Sequence, residues 1–450
     1  MNISLEEIKI ALKENISAIN LVKVEKGLSF KNISIDTRTM AKNDLFIAIK
    51  GSRVDGHAFI DEAIKKGAKL IISESHLPDD IPYICVNDTT VALGKIASFY
   101  AKTINPIIIG ITGTNGKSSV TNMVKNILSI HKPTLGTYQN YNNEIGLPLS
   151  ILNAKPYHEY FVLEMGASKK GDISQLIKIA NPTIVSLLNV SEAHLDSFKD
   201  LDTIVETKEE ILINQGVKKI VILSLDNNYY ERWLSKSKEN KVITISLTKE
   251  ADYSLQILDN DYILIKTPYE DPIKILIKER QSYFLENILF ATAISCEAGA
   301  KSIHVTKGLD NKKIISGRFD ILSGINGSKI IDSTYNANPL SFISTMDSLV
   351  VMEGAHWVIM GEMGELGPNS EQYHLKVANH AKDIGIDKLF VISKHSQGIK
   401  KIFGKNTYEF DSSELLLEFI KPKIHNNLNI LVKASRFMKF EAIVDALVSD

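Results

Sequence analysis

The stretch from Pro106 to Thr121, PIIIGITGTNGKSSVT, limits the fold of this 450-residue chain more than any other. Ile107, Ile108, Ile109 and Ile111 make a β-branched run that ends in glycines and a lysine, and VTNMVKNIL continues with helical spacing. Strand, tight loop and helix in that order belong to a parallel α/β layer, in which each helix carries the chain back to start the next strand.

The same alternation runs through the chain. Before Thr103 stand DLFIAIKG, a helical FIDEAIKKG and the strand KLIIS, which read as a small α/β domain over residues 1–103. From 104 to 316 the pattern is larger. The glycine loop is followed by EYFVLEMG, TIVSLLNV, a helix through Val205 to Ile213, KKIVILS, a β-rich interlude (YSLQIL, YILIK, IKILIK) and the helical ENILFATAISCEAGA. Residues 317–450 begin a third series, with KIIDST, HWVIMG, KLFVIS and LNILVKAS as strands between helical segments. The expectation is three α/β domains: a small N-terminal one, a central P-loop-type domain with a mostly parallel sheet, and a C-terminal Rossmann-like domain.

Composition narrows the functions. A net charge of -1 leaves no electrostatic footprint for nucleic acid or an anionic membrane. Cys85 and Cys296 are too few and too far apart for a disulfide framework or thiolate metal cluster, and read as two buried thiols. MNISLEEIKIALKENI lacks the basic start and apolar core of a signal peptide, and no apolar run is long enough to span a bilayer. A cytoplasmic protein is expected.

Backbone N–H groups of a glycine-rich turn at a helix N-terminus cradle anions. Gly113, Thr114, Asn115, Gly116, Lys117, Ser118 and Ser119 would form that cradle, with Lys117 on the β- and γ-phosphates of ATP and the Ser118 hydroxyl on Mg²⁺. The spacing departs from the usual P-loop, because five residues separate Gly110 from Gly116 where the common pattern has four. Two further constellations sit at carboxyl ends of strands. Glu164 closes EYFVLE, where a metal ligand would stand beside the loop, and Asn189, His194 and Asp196 follow TIVSLLNV.

Taken in order, GITGTNGKSS, EMGA, NVSEAHLDSF, GRF and DSTYNANPLS resemble the Mur ligases, ATP-dependent enzymes that extend the peptide of a bacterial cell-wall precursor. The segments NYNNEIGLPLSIL, DSTYNANP, GEMGELG and VKASRFMKFE are similar to those of the branch that adds D-alanyl-D-alanine to UDP-MurNAc-tripeptide, and SIDTR with KGSRVDGHAF matches the family's UDP-sugar domain. The likeness covers nearly the whole chain.

The resemblance implies an amide-forming reaction through an acyl phosphate, with anionic centres crowded together and cations between them. It implies that Ser118 and Glu164 hold one Mg²⁺ and that His194 ligates a second. It implies a carbamylated lysine at Lys208, although in IVETKEEIL a lysine among acids reads from composition as a solvated one. Asn287 in SYFLENILFATA fits the adenine-binding asparagine, while Gln281 and Tyr283 stand where the family often has glycine and histidine.

Arg318 of GRF would clamp phosphate at the joint before the third domain. Asp332, Asn336 and Asn338 would close the nucleotide site, while Asn338 with Pro339 is also a sound helix entry. For the sugar nucleotide the resemblance points to Asp36, Thr37, Arg38, Arg53, Gly56 and His57, with Asn140, Asn142, Asn143 and Glu144 along the path to the centre, and it places Glu365 and His374 on the dipeptide side. A monomer that closes its domains around ATP is implied. The alternatives are a P-loop small-molecule kinase, a nucleotide-binding scaffold without turnover, a tripeptide-forming Mur ligase and a folylpolyglutamate synthetase.

Overall fold

The computed structural model describes residues 1–51, 54–191, 198, 200–214, 216–258, 261–269, 271–277, 281–310 and 319–449. Arg53, His194, Asp196 and Arg318 lie outside the described residues.

Three larger sheets follow one another along the chain, all α/β. The first has the order Ile16–Asn20, Tyr83–Val86, Leu70–Ser73, Leu45–Ile47, Ile33–Ser34, parallel except for the antiparallel first pair. Helix Thr89–Ile104 then leads to the central sheet. Asp88 caps its start by accepting from Val91 N, and Asn105 ends it in the left-handed region at φ 55. Pro106 follows, and the chain turns straight into strand Ile107–Thr112. Helix Asp172–Ala180 stops in the same way, at Asn181 (φ 49) before Pro182. A residue that tolerates the left-handed conformation, followed by one that cannot continue a helix, is a local instruction to stop.

Among the described residues the central sheet has nine strands. From Thr134–Gly136 they run parallel through Tyr160–Glu164, Ile107–Thr112, Ile184–Leu187, Ile220–Ser224, Lys241–Ser246 and Tyr253–Ile257. The β-rich interlude supplies the end of the same sheet, where Tyr262–Lys266 and Ile273–Leu276 add antiparallel. After Ile107–Thr112 the chain builds two strands on one side and then crosses to Ile184–Leu187 on the other. That reversal leaves a crevice at the carboxyl ends of the strands, the usual place for a ligand in an open α/β sheet.

Helix Ser282–Glu297 is apolar nearly all round and buries Leu285, Ile288, Leu289, Phe290 and Ile294 against this sheet. Helix Ser302–Asp310 packs on the glycine-loop helix Lys117–His131 so closely that a Cβ on Gly308 would lie 2.4 Å from Ile127 Cα. The third sheet has the order Asp320–Ser323, Lys329–Asp332, Leu428–Lys433, Ala355–Gly361, Lys388–Ile392, Thr407–Glu409, parallel after its first pair.

One apolar core is continuous from Met1 and Leu45 through Leu93, Ile96 and Tyr100 of helix Thr89–Ile104 to Leu163, Leu176 and Trp233 of the central part. Cys85 is buried as expected, but Cys296 is only half-buried. Among the described residues no helix is long and apolar enough to cross a membrane.

Candidate active site

The glycine loop sits at the carboxyl end of Ile107–Thr112 and opens helix Lys117–His131. Gly116, the residue before the helix, has φ +81, and a Cβ there would stand 2.6 Å from Asn287 Oδ1. Glycine is thus required twice at this point, for the left-handed backbone and for the close approach of the buried asparagine. Lys117 Nζ folds back on the loop and donates to Gly113 O (2.8 Å) and Thr114 O (3.0 Å).

The segment after Ile184–Leu187 braces the loop from the side. Asn189 Oδ1 accepts from Asn115 N (2.9 Å), Asn189 O accepts from Thr114 N (2.9 Å), and Ser191 N donates to Thr114 Oγ1 (3.0 Å). The loop therefore has a fixed shape before any phosphate reaches it.

Glu164 ends its strand with a buried carboxylate, whose Oε1 accepts from Asn142 Nδ2 at 2.7 Å. Its backbone N–H donates to Thr137 Oγ1 (2.7 Å). Asn142 O in turn accepts from Gly166 N (2.8 Å), so this asparagine bridges both ends of the turn that follows Glu164.

Lys208 lies on helix Leu201–Glu209, which begins and ends four residues before the expected Val205 to Ile213, because Asp200 caps its start and the chain tightens to 3₁₀ over Glu210–Leu212. It is only 3% exposed, and no hydrogen bond from its Nζ is found among the described residues. Burial first, and then the Lys117 charge, lower its pKa to about 7 against the opposing pull of Glu164. The solvated lysine suggested by composition is absent because each acid around it is spoken for. Glu206 pairs with Lys170 (2.8 Å). Glu209, with its side chain 1% exposed, is held by Arg232 (2.6 Å) and Lys236 (2.7 Å). Glu210 accepts from Gly171 N (2.7 Å) and Ser174 N (2.8 Å).

The third sheet reaches the loop through Asn338. Its side chain caps helix Pro339–Val350 in a capping box with Ser341, and its Nδ2 donates to Asn115 Oδ1 at 2.8 Å. Helix entry and loop contact are thus one residue. Asp332 is buried and turned onto its own loop, accepting from Thr334 N (3.0 Å) and Thr334 Oγ1 (2.7 Å). Asn336 O accepts from the buried Lys433 Nζ (3.0 Å), which also donates to Ser333 Oγ (3.0 Å). Ser435 Oγ donates to Ala337 O (3.2 Å) and accepts from Gly364 N (2.8 Å).

Glu365 is exposed in the left-handed region (φ 62). His374 is fully buried. Its Nδ1 donates to Ser370 O (2.7 Å) and its Nε2 accepts from Met363 N (2.9 Å). Both nitrogens hold backbone, and burial lowers the pKa of the imidazole. Glu362 and His395 lie close enough to His374 to suggest a metal cluster, but the hydrogen bonds of His374 leave it no lone pair to offer.

The first-sheet candidates gather among themselves. Asp36 takes Arg38 as an ion pair (2.7 Å), and Thr37 O accepts from Lys66 Nζ (2.7 Å). His57 Nδ1 faces Asp55 Oδ1 (2.7 Å) while its Nε2 accepts from Glu74 N (3.0 Å), which fixes the tautomer. Gly56 lies against Ile49, where a Cβ would approach the backbone to 2.7 Å. Asn140 is exposed and Glu144 half-buried. Asn143 Oδ1 accepts from Gly146 N (2.8 Å) at the entry to helix Gly146–Leu152.

The structure therefore brings Lys117, Glu164, Lys208, Asn142, Asn287 and Asn338 around one loop. Thr137, Ser191, Glu209, Glu210 and Lys433 escaped the sequence reading. The only sequence signal for them was adjacency to a motif, since their partners are distant in the chain.

Residues 29–101 match the Mur ligase family catalytic domain, 111–295 the Mur ligase middle domain and 317–436 the Mur ligase glutamate ligase domain. A UDP-N-acetylmuramoyl-tripeptide-D-alanyl-D-alanine ligase of Buchnera aphidicola subsp. Baizongia pistaciae is 34% identical over 431 residues, 94% of each chain. MurF from Acinetobacter baumannii shares the fold with a TM-score of 0.90 at 24% identity, over 99% of this chain and 98% of that one. MurF ligase from Thermotoga maritima, in complex with ADP, has a TM-score of 0.81 at 27% identity, over 92% and 96% of the two chains.

Proposed function

The chain belongs to the Mur ligase family, and from that premise we propose that it joins D-alanyl-D-alanine to UDP-MurNAc-tripeptide with cleavage of ATP to ADP and phosphate. It is an ATP-dependent amide-forming ligase. The observation that carries the reading is the buried Lys208, lodged beside Lys117 and Glu164 at a glycine loop already shaped for phosphates.

The bond to be made sets the order of events. A carboxylate is a poor acyl donor, so its oxygen attacks the γ-phosphorus and ADP leaves, giving an acyl phosphate. The dipeptide amine then adds to that carbonyl, and phosphate departs as the amine loses its proton. Lys117 and the N–H groups of residues 113–119 hold the phosphates in line, and the Asn189 brace keeps the loop from adjusting during transfer.

Lys208 fits carbamylation, since CO₂ adds to an uncharged amine and this one is buried, with its pKa lowered to about 7 and no hydrogen bond from its Nζ among the described residues. Magnesium held by Ser118, Glu164 and the modified Lys208, with a second ion at His194, would supply the positive charge among the phosphoryl, carboxylate and oxyanion groups. Asn142 orients Glu164, and Asn287 faces the base beside Gly116.

In this reading Asp36, Thr37, Arg38, Arg53, Gly56 and His57 of 1–103 receive the uridine nucleotide, Asn140, Asn143 and Glu144 flank the peptide, and 104–316 binds ATP. Arg318, Asp332, Asn336 and Asn338 close the site from 317–450, where Glu365 and the turn held by His374 meet the dipeptide. The protein works as a monomer in the cytoplasm, where its nucleotide substrates are. The test is incubation with ATP, Mg²⁺, bicarbonate, UDP-MurNAc-tripeptide and D-alanyl-D-alanine, read by mass spectrometry. A UDP-linked pentapeptide with equimolar ADP is expected, and a phosphorylated substrate with no new amide would overturn the reading in favour of a kinase.

A further inference from the structure

The short helix that carries Lys208 is held to the rest of the site by its own acids. Glu210, the second residue after Lys208, sends both carboxylate oxygens to the N-terminus of helix Asp172–Ala180, one to Gly171 N at 2.7 Å and one to Ser174 N at 2.8 Å. Those N–H groups are among the first-turn donors that a helix leaves unsatisfied, and a carboxylate there also meets the positive end of the helix dipole. Helix Asp172–Ala180 is in turn the next element after strand Tyr160–Glu164, which ends in Glu164. Glu210 therefore spans the distance between the chain segment of Lys208 and the chain segment of Glu164.

Two other contacts differ from this one in kind. The Lys170–Glu206 pair links the same two segments but lies in solvent, with side chains 68% and 45% exposed, and such pairs contribute little. Glu209 faces away from the site toward Arg232 and Lys236. Only Glu210 is buried, bidentate and bound to backbone, so that its hold does not depend on the rotamer of a partner.

We propose that Glu210 is a positioning residue for the reaction, a bidentate clamp that fixes the register of Lys208 against Glu164. The proposal rests on the assignment of Lys208 to the reaction centre. Without the clamp helix Leu201–Glu209 loses its tie to helix Asp172–Ala180, while the turn Glu210–Leu212 stays held by Lys219 through Ile211 O, so Lys208 loses its place first.

The test uses Glu210→Gln, which keeps the shape but can accept only one of the two N–H bonds, and Glu210→Asp, which keeps the charge without the reach. The full chain is labelled with an amine-reactive reagent, and modification of Lys208 and Lys219 is followed by peptide mass. Lys219 is the internal control, because it is 1% exposed and donates to Ile211 O and Ile213 O just beyond the clamp.

The expected result is faster labelling of Lys208 by about tenfold, the size of one lost charged hydrogen bond, with Lys219 unchanged. In parallel, kcat falls while KM for UDP-MurNAc-tripeptide holds, and the ¹³C-bicarbonate carbamate signal weakens. Equal acceleration at both lysines would mean a global loss of stability and would overturn the proposal, as would wild-type labelling and kcat in both variants. A wild-type protein that gives no carbamate signal but shows the Lys208-selective effect would remove carbamylation and leave the clamp standing. Should the Gln variant not fold, the Asp variant decides by the same criterion, and if neither folds the acid is structural and the proposal fails.

Discussion

Asn338 Nδ2 donates a 2.8 Å hydrogen bond to Asn115 Oδ1, which joins the segments 1–310 and 319–449. It connects the glycine loop to the cap of a helix in the third sheet, so the cap and the loop cannot move independently while it holds.

Asn338→Ser separates the two duties of this residue. Serine still accepts from Ser341 N as an N-cap but has no amide to offer Asn115. Melting is expected to stay within about 2 °C of wild type, because the cap survives, while KM for ATP rises by about fivefold, the worth of one ordinary hydrogen bond. Asn338→Ala should lose about 1 kcal/mol of stability in addition. Unchanged ATP kinetics in the serine variant would mean that the contact has no part in closure.

Gly116→Ala places a methyl group where the backbone is left-handed and Asn287 Oδ1 is 2.6 Å away. The strain alone is about 1 kcal/mol, and the asparagine must also move. Titration calorimetry with a non-hydrolysable ATP analogue should show affinity down by at least about tenfold. Wild-type affinity would sever Asn287 from the nucleotide.

The state of Lys208 makes activity and stability respond to pH. Its amine is uncharged above about 7, so activation by bicarbonate should grow as pH rises through that value. For stability, the folded pKa of about 7 lies below the value of about 10.4 for a free lysine. Between the two the unfolded chain binds more protons, and the contribution of this group to stability rises with pH. Lys208→Met should therefore lose activity by about a hundredfold and melt higher than wild type at pH 7, with the gap narrowing toward pH 10. A gap that does not change with pH would contradict the neutral buried amine.

His374 offers an acid-side counterpart. Burial lowers its pKa, so its contribution to stability is present above the ordinary value of about 6.5 and is lost as pH falls through its folded pKa. His374→Ala strands Met363 N–H and Ser370 C=O and should cost about 2–4 kcal/mol at pH 8. The difference between thermal melts of the two proteins should narrow as pH falls below about 6.5. A constant difference would mean that the imidazole does not titrate with folding.

What the sequence made legible was local. Ile107 to Ile111 with the glycines dictated strand, loop and helix, and the end of EYFVLE placed Glu164 beside them, because alternating layers bring successive strand ends to one edge. The burial of Lys208 was not legible. Its neighbours Glu206, Glu209 and Glu210 look like a solvated face until their partners appear, at Lys170, at Arg232 and Lys236, and at Gly171 and Ser174. His374 likewise reads as a side chain facing the dipeptide, and only the turn it holds reveals that both nitrogens are taken. The Asn115–Asn338 bond joins positions 223 apart, beyond the reach of any spacing rule.

The helix Thr89–Ile104 has a practical implication for anyone who would cut this protein into pieces. Its Leu93, Ile96 and Ala97 belong to an interior that extends on both sides of it, and Tyr100 donates its hydroxyl to Ala154 O, 54 residues onward. A fragment ending at 103 would carry that face into water as a sticky surface, and a fragment starting at 104 would leave the hollow it fills. The first two sheets should survive limited proteolysis as a pair, and a severed one should aggregate.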